Sequence, residues 1–289
     1  MQTSSVSDFM KRSIDHSMKQ VPALPSAVMK VLDETEKSEP SAAKVEAIVT
    51  MDQAIVARLL KVVNSAYYGL PGQVMTVSQA ITILGLQQVR NLVLGLAAFG
   101  SFASNSPKQA AILKTSWLHG LATASAASMM AKETGLSPKQ QDLAFVGGLM
   151  HDLGKLFLVT QLPMPYAEAT SQAKKMAATL EELEARIFGM SHAEVGRMLV
   201  ERWNFPESLC GLIGSHEGPF DGSESPALWC VSVADCFTKD LYGDPEIHRR
   251  LPDPVAFSQL GLSEQRIVEI TEQAKQRALE ALEQLGTAA

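Results

Sequence analysis

Four histidines and two aspartates stand where the surrounding residues are apolar. His151 and Asp152 are adjacent in GGLMHDLGKLFL, residues 147–158, with Lys155 one helical turn from His151. His119 lies inside TSWLHGLATA, His216 follows LCGLIGS, and Asp235 lies in ALWCVSVADCF. His192 shares a helical face with Val195, Gly196 and Leu199, at offsets of three, four and seven, which turns it inward. His16 and His248 have polar surroundings and read as surface residues. A lone core histidine is ordinarily satisfied by a backbone carbonyl. A buried ion is costly unless something pairs with it or coordinates it. Four imidazoles and two carboxylates therefore leave two readings open, separate core residues or one shared metal site. Their nitrogen and oxygen donors suit Fe, Mn, Ni or Zn. Neighbouring residues on a helix point about 100° apart. His151 and Asp152 can converge on one centre if they sit at a helix end, which Gly154 permits.

Such residues need a scaffold, and the scaffold reads as all-α. Hydrophobic residues make up 46% of the 289 and aromatics only 6%, which favours helices packed through small, unbranched side chains. No sustained period-two alternation marks a strand. Five helices are expected in VPALPSAVMKVL, PSAAKVEAIVTMD, QAIVARLLKVVNSAYYG, TVSQAITILG and LQQVRNLVLGLAAFG. The polar SNSPKQ is the expected lobe boundary. A long helix ending at Gly135 follows, then the run SPKQQDLAFVGGLMHDLGKLFLV, with Ser137 and Pro138 fitting the N-cap and first turn. Further helices are expected in TLEELEARIFG, in SHAEVGRMLVERWN before Pro206, in PESLCGLIGSHEG and in PALWCVSVADCFTKDLYG. The tail carries Ile267, Ile270, Ala274, Ala278 and Leu282 on one stripe and is expected to pack on its own domain. This divides the chain into an N-terminal extension (1–20), an N-terminal helical lobe (21–105), a second lobe with the candidate site (106–245) and a C-terminal helical segment (246–289).

A formal net charge of −6 opposes nucleic-acid binding, which needs a basic surface. Arg58, Lys61 and Arg90 read as a solvated face. Three cysteines without a CxxC pair argue against a disulfide framework and for a reducing compartment. The first twenty residues lack the apolar core of a signal peptide. No uninterrupted apolar stretch approaches the length of a membrane helix. A soluble cytoplasmic protein that binds neither nucleic acid nor membrane is the expectation.

The order His119, His151-Asp152, His192, His216, Asp235 resembles the HD superfamily of metal-dependent phosphohydrolases. That resemblance implies one ion held by His119, His151, Asp152 and Asp235. It implies a second supported by His192 and His216, with Asp152 bridging both. VPALPSAVMKVL, MDQAIVARLLKVVNSAYYG and VSQAITILGLQQVRNLVL narrow the match, and SWLHGLATASA, FVGGLMHDLGKLFL and FGMSHAEVGRMLVERWNFP continue it. Together they resemble the HDOD family, the HD-related output domain of bacterial signalling proteins, over roughly Val21 to His216. The family implies an all-helical fold, an HD-like helical core with an additional N-terminal helical lobe. Many HDOD domains have lost metal ligands and are regarded as regulatory modules, whereas every ligand position has a candidate here. SHEGPFDGSESP departs from the HHExxDGxGYP motif of the HD-GYP cyclic-di-GMP phosphodiesterases. Ser215 replaces a histidine, Asp221-Gly222 comes one residue late and the Gly-Tyr pair is missing.

Two functional expectations follow from the resemblance. The first is a stand-alone signalling module with a protein partner, holding one or two divalent transition ions, Fe or Mn ahead of Ni or Zn. The alternative is a metal-dependent phosphohydrolase acting on a nucleotide or cyclic nucleotide, with Asp152 and Lys155 in catalysis. Lys155 would either neutralise phosphate charge or snorkel to the surface. A phosphorylated small molecule is the expected ligand. Asn64, in the family's NSAYYG stretch, is expected to bond a turn, with Tyr67 and Tyr68 packed between lobes.

Overall fold

The computed structural model describes residues 2–65, 67–103, 106–176, 178–242 and 250–286, and among them every regular element is helical. His248 and the side chain of Leu282 lie outside the described residues. The first helices are α1 (Gln2–Gln20), α2 (Ser26–Thr35), α3 (Ala42–Thr50), α4 (Gln53–Val63), α5 (Val77–Leu84) and α6 (Leu86–Gly100). Then come α7 (Pro107–Glu133), α8 (Pro138–Met150), α9 (Leu153–Gln161), α10 (Pro163–Met176), α11 (Leu180–Phe188) and α12 (His192–Arg202). The last are α13 (Glu207–Ser215), α14 (Pro226–Thr238), a 3-10 turn (Lys239–Tyr242), α15 (Pro254–Leu260) and α16 (Glu264–Gly286).

Side-chain caps set many of the starts. Ser41, Asp52, Thr76 and Ser137 each accept from backbone N–H groups in the first turn that follows, a contact worth about 1 kcal/mol. Thr179 with Glu182, and Ser191 with Glu194, form reciprocal capping boxes at α11 and α12. The second of these places the N-cap of α12 one residue before His192.

α7 is the central post. It packs against α8, α14 and α16, while α8 also meets α6 and so ties the early helices to the later ones. Buried side chains from Met10 to Ala281 form one apolar cluster, and a second joins α14, α15 and α16 to the far half of α7. Gly148 is needed at the α7–α8 crossing, since a Cβ there would lie 2.8 Å from the Ala124 Cα.

The run SPKQQDLAFVGGLMHDLGKLFLV is not one helix. It breaks at His151 and Asp152, which cap the end of α8 and the start of α9. By length and composition, 138–161 could cross a membrane, yet most of its apolar window is buried inside the fold. No other helix among the described residues passes that test. α1, α10 and α15 have no counterpart in the sequence reading. α1 shows one apolar residue per turn, and Met10, Ile14 and Met18 are buried where it packs on α11. In α16 the stripe residues Ile267, Ile270, Ala274 and Ala278 are buried, chiefly against α7.

Asn64 caps α4 and pins the following loop. Its Nδ2 donates to the Leu60 and Val74 carbonyls, and its Oδ1 accepts from the Val74 N–H at 2.7 Å. Gln88 donates to the Tyr68 hydroxyl at 3.0 Å. Tyr67 packs edge-on to Tyr68 and hydrogen-bonds Ser125 of α7, and burial pushes its hydroxyl up to about 12. Arg58 and Lys61 are exposed on α4, whereas Arg90 is half-buried beside Gln87 and does not extend that face.

Candidate metal centre

Six side chains from five segments of the chain meet at one buried place. α7 carries His119 mid-helix, and α14 carries Asp235 near its end. The other four ligand candidates stand at helix ends, where the backbone turns. His151 closes α8, Asp152 opens α9, His192 is the first residue of α12, and His216 closes α13. All four imidazoles are fully buried, with Asp152 5% and Asp235 1% exposed.

The atoms fall into two sets. His119 Nε2, His151 Nε2 and Asp235 Oδ1 lie 3.2–3.4 Å apart. Asp152 Oδ2 joins them, 3.3 Å from His151 Nε2 and 3.6 Å from His119 Nε2. Asp152 Oδ1 faces the other way, 3.1 Å from His192 Nε2 and 3.9 Å from His216 Nε2. One carboxylate thus serves both sets, which together could hold metal ions.

The opposite nitrogen of each ring fixes its protonation. Nδ1 of His119, His151 and His216 faces the carbonyls of Thr238, Gly148 and Ile213 at 3.2, 2.8 and 2.8 Å. Carbonyl oxygens only accept, so each Nδ1 donates. Nδ1 of His192 likewise donates to Glu184 Oε2 at 2.7 Å. In the neutral rings the lone pair is then left on Nε2, aimed at the shared centre. His216 Nε2 is buried with no hydrogen-bond partner. This is how metal-binding histidines are oriented by a second layer of acceptors, and the donor set fits divalent transition ions.

Charge around the centre points the same way. Burial opposes protonation of His151 and His192. The Asp152 and Asp235 carboxylates outweigh it at His151, raising it to about 9. Glu184 and Glu217 do so at His192, raising it to about 10. Burial depresses His119 and His216. Burial also opposes the charge on Asp152, but His151 and Lys155 outweigh it and hold the carboxyl well below its ordinary value. The carboxylates favour positive charge at the centre, whether as protons or as metal.

Lys155 does not snorkel. It is 9% exposed, and its Nζ lies 3.0 and 3.2 Å from the two Asp152 oxygens. Four neighbours escaped the sequence reading. Glu184, on the apolar face of α11 four residues after Leu180, also accepts from the His192 backbone N–H; that placement was its one sequence signal. Glu217 Oε1 lies 3.3 Å from His192 Nε2, and burial followed by the Glu181 carboxylate pushes its acid up to about 8, with His192 and Lys155 opposing. Lys239 and Arg250 each reach Asp235 Oδ2 at 3.4 Å, and Lys239 also pairs with Glu181 at 2.9 Å. Lys239 stands one turn after Asp235, but nothing in the sequence singles out Arg250.

A cavity of about 810 Å³ adjoins the cluster, with Lys155, Lys239, Arg250 and Glu181 at its wall. Ile112, Leu156, Val159 and Leu180 supply apolar surface. That volume is in the range of small-molecule sites.

The HDOD domain, as a family, matches residues 21–219. The chain belongs to the HDOD family. An uncharacterized protein of Treponema pallidum is 26% identical to this HDOD chain over 234 residues, covering 80% of the chain but only 45% of the relative. The chain therefore spans less than half the length of that curated relative. Solved structures share the fold. A candidate phosphohydrolase of Shewanella amazonensis has a TM-score of 0.73 at 22% identity, over 94% of this chain and 98% of that one. An HDOD domain protein of unknown function from Geobacter sulfurreducens reaches 0.67 at 21% identity, over 93% and 98%.

Proposed function

We propose that this HDOD chain is a bacterial signalling module. Its buried centre holds two divalent transition ions, and the adjoining cavity takes a phosphorylated small molecule. One observation carries the reading: four Nε2 atoms are held toward the two oxygens of a single carboxylate, Asp152. His119, His151, Asp152 and Asp235 would hold one ion, and Asp152, His192 and His216 the other. The mix of imidazole and carboxylate favours Fe or Mn, with Ni or Zn as lesser fits. A protein partner would read the liganded state in the cytoplasm.

A second reading, phosphoester hydrolysis, is favoured by the position of Lys155. It touches Asp152 and also lines the cavity, so it can place phosphate oxygens against the centre and neutralise their charge. Divalent ions, when bound, supply Lewis acidity and lower the pKa of water toward neutrality. Asp152 keeps its charge to hold both ions, and Lys155 keeps its proton to bind the phosphate.

Metal analysis of protein purified without chelator or added metal tests the centre. About two equivalents are expected, both lost in Asp152→Ala and one retained in His192→Ala. A metal-free wild type whose alanine variants are equally stable would end the proposal. Activity of the loaded protein on a broad phosphoester panel then separates hydrolase from ligand-gated module.

A further inference from the structure

Two helices, α7 and α10, line the cavity beside the centre. Along α7, Lys108, Ile112, Ser116 and His119 follow at offsets of four, eight and eleven, so one helical face leads from the cavity wall to the candidate ligand. Lys108, Ile112 and Ser116 all line the cavity. Eleven residues at the helical rise place Lys108 about 16 Å from His119. Tyr166, Thr170 and Lys174 of α10 line it too, again on one face. Tyr166 marks the inner end, where the charges of Lys155 and Asp152 act on it. Eight residues further, Lys174 stands about 12 Å away along the axis. Each helix therefore carries a lysine at the cavity wall about 12–16 Å along its axis from the inner end, with Ile112 between on α7.

The inner end has Lys155, Lys239 and Arg250, but each is matched to Asp152, Asp235 or Glu181. Glu184 and Glu217 add further carboxyls. Every one of these cations already faces a carboxylate, so this end draws in a further anion only once divalent ions are bound. The inference rests on the metal reading for that reason.

We propose that the ligand is an elongated bis-anion, a phosphate ester on an apolar body with a second anionic group about 12–16 Å away. The phosphate sits by Lys155, Lys239 and Arg250, the body lies along Ile112, Leu156 and Val159, and the second anion reaches Lys108 and Lys174. A compact phosphate would use the inner end alone.

Calorimetric titration of the manganese-loaded protein with inorganic phosphate, decyl phosphate and decane-1,10-diol bisphosphate tests this. The bisphosphate is expected to bind about tenfold tighter than decyl phosphate, the worth of two exposed ion pairs. That advantage should vanish in the double variant Lys108→Ala/Lys174→Ala, whose fold is checked by its melting temperature. Equal affinity of the two decyl compounds, or an advantage that survives in the double variant, overturns the inference. If inorganic phosphate binds but neither chain length nor the second charge adds anything, the metal reading stands and the elongated ligand falls. A protein that takes up no manganese overturns both, and metal content shows which has failed.

Discussion

The Glu184 carboxylate accepts from both the backbone N–H and Nδ1 of His192, at 2.8 and 2.7 Å. It therefore sets the ring's orientation and makes it a stronger donor, as carboxylates behind metal-bound histidines do. Glu184→Gln keeps an acceptor but loses the charge. It should weaken the second ion by about tenfold while leaving the first unchanged, as read by titration of chelated protein with manganese. Unchanged affinity at both sites would remove Glu184 from the design. Lys155 is legible at this scale only in part. Its spacing put it one helical turn from His151, but its burial against Asp152 depended on what covers it.

At the scale of elements, the break between α8 and α9 decides the site. His151 and Asp152 could not both face one centre inside a continuous helix. The cap geometry turns the chain between them. Gly154 then lets α9 approach α12 closely: an added Cβ would run into the His192 carbonyl and lie 2.7 Å from the Gly196 nitrogen. Both obstacles are backbone, so the helices would have to separate. Gly154→Ala should cost about 3 kcal/mol and lower uptake of the second ion more than the first. Denaturant melts with metal analysis check both, and a melt matching wild type would show that the contact has slack.

For the whole molecule, the buried charges couple stability to pH. His151 and His192 rise from an ordinary 6.5 to about 9 and about 10 when metal is absent. A base raised on folding stabilises fully below its unfolded value, and that contribution is lost as pH climbs through the folded one. His119 and His216, both depressed, act in the opposite sense and lose stability as pH falls through 6.5. Chelated protein should therefore melt at lower temperature as pH rises from about 7 to about 10. Manganese should flatten that slope, because an ion replaces the protons on Nε2. Scanning calorimetry with and without chelator measures it; a flat profile for the chelated protein would mean that the two rings are neutral.

The sequence by itself determined the helical class, most of the helices and the six ligand candidates. Apolar periodicity and caps such as Ser137 are local, and histidines or aspartates among apolar neighbours carry their oddity with them. Short or weakly patterned helices such as α1 escaped because one apolar residue per turn is seen as core only once α11 covers it. Only the tertiary structure decided the rest. Which oxygen of Asp152 faces which histidines, the acceptor behind each Nδ1, and the arrival of Glu184, Glu217 and Arg250 all depend on contacts between distant segments. So does the cavity lined by α7 and α10, since neither helix encloses space by itself.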